Sequence, residues 1–220
     1  VTSTTDLVAA AEATTCGEYG NFTLGFDDST TRPEENNVLP VAAIKNPYHH
    51  LFYSNGMAYV PDNWEPYPAI SQPNVAVFLP ITGLLSNNPF AGTLVPGELG
   101  AGPRASVDAY WFNAYSGFFG CALNGITRCT LRITGYRYDT DRKEEVVAAE
   151  QNVTIPACYG YINCRLMQVG FTEDFRALSG IQFQAYTYNL GVPQIFMMDD
   201  LQLEWYNNTC GAGILRIGHR

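Results

Sequence analysis

The sequence predicts an all-β protein, a sandwich or barrel of short strands with long loops between them. Three observations carry this reading. Apolar and polar residues alternate in many short runs, the pattern of a strand with one buried and one wet face. Stretches rich in glycine and proline punctuate those runs. Helical periodicity is nowhere sustained over about twelve residues, so no helices alternate with the strands.

Taken in order, residues 1–15 are small and polar and predict a flexible arm, with a short helix over 6–13 as the alternative. The first strand is 21–26, where Phe22, Leu24 and Phe26 share a face, and 28–37 is a surface loop by composition. Asn55-Gly56 lies between two β-prone runs and predicts a hairpin. Pro61, Pro66, Pro68 and Pro73 then hold an aromatic loop extended until a strand over 74–79. Residues 81–104 form a second long loop. Its Gly100-Ala101-Gly102 lacks the strand-turn-helix surroundings of a nucleotide site. Strands follow at 106–115, 129–138, 145–155, 165–171, 181–188 and 195–206, with turns at Gly120, Asn124-Gly125, 139–142, Pro156 and 191–193. No linker divides the middle, so 16–220 is expected to be one domain.

Composition narrows the function classes. Of 220 residues, 46% are apolar and 15% charged, enough for a core and too few charges for a disordered tail. The net charge of −9 and the twelve scattered Lys and Arg argue against a nucleic-acid partner. No apolar run is long enough to span a membrane, and no leader precedes Val1, so any signal peptide is expected to have been removed.

Six cysteines accompany sequons at Asn21, Asn152 and Asn207. Asn21 and Asn152 fall opposite the apolar faces of their strands, where a glycan fits. A secreted, extracellular glycoprotein with disulfides is the expectation. Six cysteines allow roughly fifteen pairings. The preferred set is Cys121–Cys129 and Cys158–Cys164 as local clips, with Cys16–Cys210 joining the ends. Loop closure assigns the clips about 2–3 kcal/mol each and the long bridge about 5.

The chain ends carry acidic pairs. In 196–205, Asp199 shares a face with Met197, Leu201, Leu203 and Trp205, and near the start Asp27-Asp28 follows the first strand. A buried carboxylate needs a partner. First and last strands that pair around Ca²⁺ held by Asp27, Asp28, Asp199 and Asp200 satisfy this. Turn capping, salt bridges to arginine and catalysis are the alternatives.

Saccharides present apolar C–H faces and many hydroxyls, which suit aromatic platforms flanked by amides and guanidinium. Gln182, Gln184 and Tyr186 share a face, as do Arg132 and Tyr136. The alternative is ordinary β-propensity on a solvated face. The aromatic loop adds His49, His50, Tyr53, Trp64 and Tyr67. On a strand the two histidines would point to opposite faces and could not share a metal easily. Hydrolase motifs are missing. Glycosidase carboxylates remain open through Asp108, Glu173, Asp174 or Glu204, and a lyase base through Tyr53 or His50 with Arg132. Glu144-Glu145 reads as a solvated turn.

Residues 46–56, 71–74 and 198–210 resemble a group of secreted fungal proteins of unassigned function. Phe26-Asp27-Asp28 and Met198-Asp199-Asp200-Leu201 are similar to the ends of galactose-binding-like carbohydrate modules. That resemblance implies a jelly-roll sandwich whose last-strand aspartate helps hold a structural calcium. The reading from sequence is a monomeric, non-catalytic protein that binds cell-wall or plant polysaccharide. A polysaccharide lyase or hydrolase is the first alternative, and a protein-binding effector or structural wall protein the second.

Overall fold

In a computed structural model of the chain, residues 16–28, 41–61, 66–80, 94–122 and 127–218 are described. The arm expected over 1–15, Trp64 and the Asn124-Gly125 turn lie outside them.

Alternation becomes architecture as expected. In chain order the described strands are β1 (Asn21–Leu24), β2 (Ala42–Ala43), β3 (Phe52–Tyr53), β4 (Met57–Pro61), β5 (Asn74–Phe78), β6 (Glu98–Gly100) and β7 (Phe112–Cys121). Then come β8 (Cys129–Asp139), β9 (Glu144–Ile155), β10 (Met167–Gly170), β11 (Gly180–Thr187), β12 (Pro193–Gln194), β13 (Phe196–Trp205) and one helix, α1 (Cys210–Ile217). They build two antiparallel sheets. The first runs β10-β7-β13-β5-β4-β2 with β1 added on β13, and the second runs β3-β6-β11-β8-β9 with β12 on β11. The chain crosses repeatedly between them, and the result is an all-β sandwich.

Leu131, Ile133, Ile181 and Phe183 of the second sheet meet Phe119, Phe196, Met198, Leu201 and Leu203 of the first in one core. The Phe119 and Phe183 rings, 5.0 Å apart, link the layers. Full burial of such side chains stabilises by about 1.5–3 kcal/mol each. The intervening positions of the first sheet, Val60, Val75, Val77 and Met197, are buried in a second, smaller cluster, whereas Arg132, Glu150 and Asn152 at the intervening positions of the second sheet are exposed.

The ends of the chain meet on β13. Its first half pairs with β5 and its second half with β1, while β7 runs along the other edge. Phe22 stacks on Trp205 at 4.5 Å, and the three disulfides are Cys16–Cys210, Cys121–Cys129 and Cys158–Cys164. The expected pairings therefore hold. Arg216 of α1 is fully buried, lies 4.6 Å over the Trp205 ring, and donates to the carbonyls of Glu18, Ala109 and Asn207.

Local signals mislead in four places. Asn55-Gly56 does not close a hairpin: β3 pairs with β6 and β4 with β2 and β5, so the turn carries the chain between sheets. Gly120 lies inside β7, where a Cβ would approach Leu166 to 2.9 Å and the Tyr67 ring to 3.1 Å, so packing explains it. The strand expected from 106 begins only at Phe112, after a 3₁₀ turn over Asp108–Tyr110. Helix α1, capped by Thr209, has eight residues and is too short to carry a periodic signal.

Candidate functional site

The outer face of the second sheet gathers five of the expected ligand residues. Asn152, Arg132 and Gln184 are Cα partners across β9, β8 and β11 and form one row. The next row is Glu150, Thr134, Gln182 and Glu98, and on the other side lie Thr154, Thr130, Tyr186 and Pro193. Opposed side chains on one face stand about 5 Å apart; Arg132, Asn152, Glu150, Gln184 and Tyr186 reach the surface of these rows, whereas Thr134, Gln182 and Glu98 are buried. The Tyr136 hydroxyl donates to Gln182 Oε1 at 2.9 Å, and Gln182 Nε2 donates to the Pro96 carbonyl at 2.8 Å, which fixes the amide. Arg132, half exposed, pairs with Glu150 at 2.5 Å. Gln184 and Tyr186 line a cavity of about 140 Å³ with Pro80, Pro96 and Pro193.

Beside this face lies a pair of carboxyl groups that the sequence does not disclose. Glu98 and Glu145 overhang Gly180, where a Cβ would lie 2.5 Å from one Oε1 and 3.3 Å from the other. Burial, then the neighbouring Glu145, pushes the Glu98 carboxyl up to about 8. Burial raises Glu145 too, against a 2.5 Å hydrogen bond from the Ser179 hydroxyl. Glu145 is therefore not the solvated turn residue expected. Glu98 sits in a Gly/Pro-rich segment without alternation, and only the β6–β11 pairing brings it here.

His49 and His50 occupy a tight turn rather than a strand. Tyr48 and Leu51 exchange main-chain hydrogen bonds of 2.9 and 3.0 Å around them, and both have positive φ, 45° and 64°. Positive φ is uncommon outside glycine, and Asn, Asp and His are the residues enriched there. His49 Nε2 lies 3.1 Å from Asp28 Oδ2 and His50 Nε2 lies 2.6 Å from Glu18 Oε2, so each imidazole has its own carboxylate. Burial raises the Asp28 carboxyl, but the Tyr48 hydroxyl at 2.6 Å and His49 outweigh it, and the net shift is downward. Glu18, Asp28, Pro47, Tyr48 and the histidines line a cavity of about 350 Å³.

The other expected contacts belong to the interior. Tyr53 is fully buried against Phe26, Tyr48 and Tyr59, and burial holds its hydroxyl far above the usual phenol range. Tyr67 is buried in a smaller cluster, its hydroxyl directed at the Cys121 carbonyl. Neither has surface to offer a ligand: Tyr53 is packed between the sheets and Tyr67 in the smaller cluster on the other face of the first sheet. A lyase set of Tyr53 with Arg132 is thus not assembled. The glycosidase carboxylates are dispersed: Asp108 bonds Asn207, Glu173 pairs with Arg176, and Glu204 accepts from Tyr115 and Asn113.

The acidic pairs divide. Asp199 is fully buried and accepts from the amides of Ile70, Ser71 and Asp200 at 2.6, 3.1 and 2.8 Å. Burial still pushes its carboxyl up to about 7. At Asp200 the strand bulges with φ 45°, which turns that side chain toward β1. A Cβ on Gly25 would lie 2.8 Å from Ser71 Oγ, 3.2 Å from Asp27 Oδ2 and 3.3 Å from Asp200 Oδ1. The Ser71 hydroxyl donates to Asp200 Oδ1 at 2.9 Å, so two of the three oxygens are already bonded to each other and the third is a nearby Asp27 carboxylate, a partial set of the hard ligands that Ca²⁺ takes. Asp28 is held instead by Tyr48 and His49. Among the described residues, no group of three or more His, Cys, Asp or Glu side chains gathers as a metal cage, and no helix is long and apolar enough to cross a membrane.

The sequence model of one family, described as a domain of unknown function (DUF7371), matches residues 18–216. No curated protein matches the chain. Among solved structures, a DUF4465 family protein from Bacteroides caccae is similar at 13% identity and a TM-score of 0.46, covering 90% of this chain and 97% of that one. The CBM22-1–GH10 modules of a Clostridium thermocellum endo-1,4-β-D-xylanase with xylohexaose are similar at 12% identity and a TM-score of 0.39, covering 77% of this chain. An arabinose-bound α-L-arabinofuranosidase is similar at 16% identity and a TM-score of 0.41, covering 84%. The chain spans 28% and 26% of the length of those last two.

Proposed function

The chain belongs to the DUF7371 family, and from its second sheet we propose that it is a secreted, non-catalytic protein that binds extracellular polysaccharide. The observation that carries this is the row Arg132–Gln184, with Tyr186 in the next row on one side and Tyr136 two rows away on the other. A guanidinium and an amide can address sugar hydroxyls while the tyrosines meet C–H faces, and sheet pairing holds all four in register. Six disulfide-bonded cysteines favour an oxidising compartment. The test is retention on a panel of plant and fungal cell-wall polysaccharides with analysis of the supernatant. Retention without new products supports the reading, and no retention on any of them would sink it.

A second reading, a polysaccharide-degrading enzyme, rests on His49 and Asp28. A carboxylate that orients an imidazole is an arrangement used for general bases. New reducing ends, or unsaturated products absorbing in the ultraviolet, that disappear in His49→Ala would favour it.

The cradle over Gly25 we propose as a structural Ca²⁺ site. Asp27, Asp200 and Ser71 would supply side-chain oxygens from the segment after β1, from β13 and from the segment before β5. The ion would neutralise charge where the chain ends meet.

A further inference from the structure

We infer that Asn152 carries an N-linked glycan whose inner sugars lie over Arg132 and Gln184, so that the chain's own modification covers the face proposed above to take polysaccharide. As a statement about competition for that face, the inference rests on the carbohydrate-binding reading; as a statement about where the glycan lies, it does not.

Three observations support it. Asn152-Val153-Thr154 is a sequon, and Asn152 and Thr154 are both exposed. The Asn152 side chain makes no hydrogen bond among the described residues, whereas the side-chain amide of Asn207 donates to Asp108 at 3.1 Å. The position also lies in the right row: β9 is the edge of its sheet, Asn152 is the Cα partner of Arg132, and Arg132 is the partner of Gln184, so a glycan that folds inward from the edge meets both. Neighbouring strands lie about 4.8 Å apart. A first sugar on Asn152 therefore reaches β8, and a second reaches β11.

The chemistry is transfer from a lipid-linked oligosaccharide diphosphate. Asn152 Nδ2 attacks C1 of the first sugar, the C1–O bond to the diphosphate breaks, the Nδ2–C1 bond forms, and one amide proton is released. The polar groups met on the face then match a saccharide: the Arg132 guanidinium, half exposed beside Glu150, and the Gln184 amide. An incoming polysaccharide would need the same groups.

The experiment compares wild type and Thr154→Ala secreted by a glycosylating eukaryotic host, with Thr154→Ser retaining the sequon. Peptide mass mapping reads occupancy, and phenylglyoxal labelling of Arg132 reads coverage. We expect Asn152 to be occupied in wild type and Thr154→Ser, and Arg132 to label several-fold faster in Thr154→Ala. Apparent polysaccharide affinity should rise about tenfold in Thr154→Ala. An unmodified Asn152, or equal labelling of Arg132 with Asn152 occupied, overturns the inference. If labelling differs as expected but neither form binds any polysaccharide, the glycan placement stands and the carbohydrate-binding reading fails. If the faster-labelling Thr154→Ala binds no better than wild type, the competition is overturned.

Discussion

The Asp199 carboxylate on the last strand accepts the main-chain N–H of Ile70, 129 residues earlier, at 2.6 Å. With Ser71 and Asp200 it forms a three-amide socket that ties the segment before β5 to β13. The sheet switches partner from β5 to β1 at this point, so the socket holds the join between the chain's two ends.

Removing that carboxylate should leave three amides without their acceptor. Asp199→Ala is expected to cost about 2–4 kcal/mol in urea unfolding, the scale for buried polar groups stripped of a partner. A loss under about 0.5 kcal/mol would mean the socket does not support the fold.

Stability should decline toward alkaline pH. Burial raises Glu98 to about 8 and Asp199 to about 7, and it raises Glu145 as well. A raised carboxyl binds its proton more tightly in the folded chain. Its contribution is therefore complete below the ordinary value, 4.5 for Glu98, and is lost as pH climbs through the folded value. Chemical denaturation between about pH 5 and pH 8.5 should show this fall, and Glu98→Gln should flatten its upper part. Parallel curves for wild type and Glu98→Gln would place the pair's protons elsewhere.

Calcium should raise the melting temperature if the cradle over Gly25 takes it. Saturation at a hundredfold excess over Kd corresponds to about 2.7 kcal/mol, and in a chain of this size each kcal/mol is about 2–4 °C. Asp200→Asn should abolish the shift between EDTA and millimolar Ca²⁺. An identical melting curve in both buffers for wild type would remove the ion from the account.

Saccharide binding should depend on the sheet face and not on the buried aromatics. Arg132→Ala and Tyr186→Ala are each expected to weaken binding about tenfold or more, without unfolding, because both side chains lie at the surface. Full retention by the double variant on a ligand that wild type binds would move the site elsewhere, with the His49 cavity next in line.

Strand alternation made much of this legible in advance. A spacing of two puts Gln182, Gln184 and Tyr186 on one face, and the register of β11 agrees, although Gln182 is buried. His49 and His50 show the limit of that rule. Spacing within a strand says nothing when the pair occupies a turn with positive φ at both positions. Tyr53 and Tyr67 show another, since an aromatic in a proline-rich loop has the same composition signal whether it faces water or the core. Glu98 and Glu145 meet through pairings that β6 and β9 make with other strands, and no local pattern encodes that.

By itself, the sequence determined the longer strands, which side chains of β11 share a face, and that the two ends with Cys16 and Cys210 belong together, but not the strand β6 or the bulge in β13 that parts Met197 from Leu201 and Leu203. Those properties follow from a side-chain period of two and from cysteines that must find partners. Only the tertiary structure decided which sheet each strand joins, which aromatics are swallowed by the core, and which carboxyls share a patch. Those outcomes depend on contacts between residues far apart in the chain, where burial and pairing outweigh any local preference.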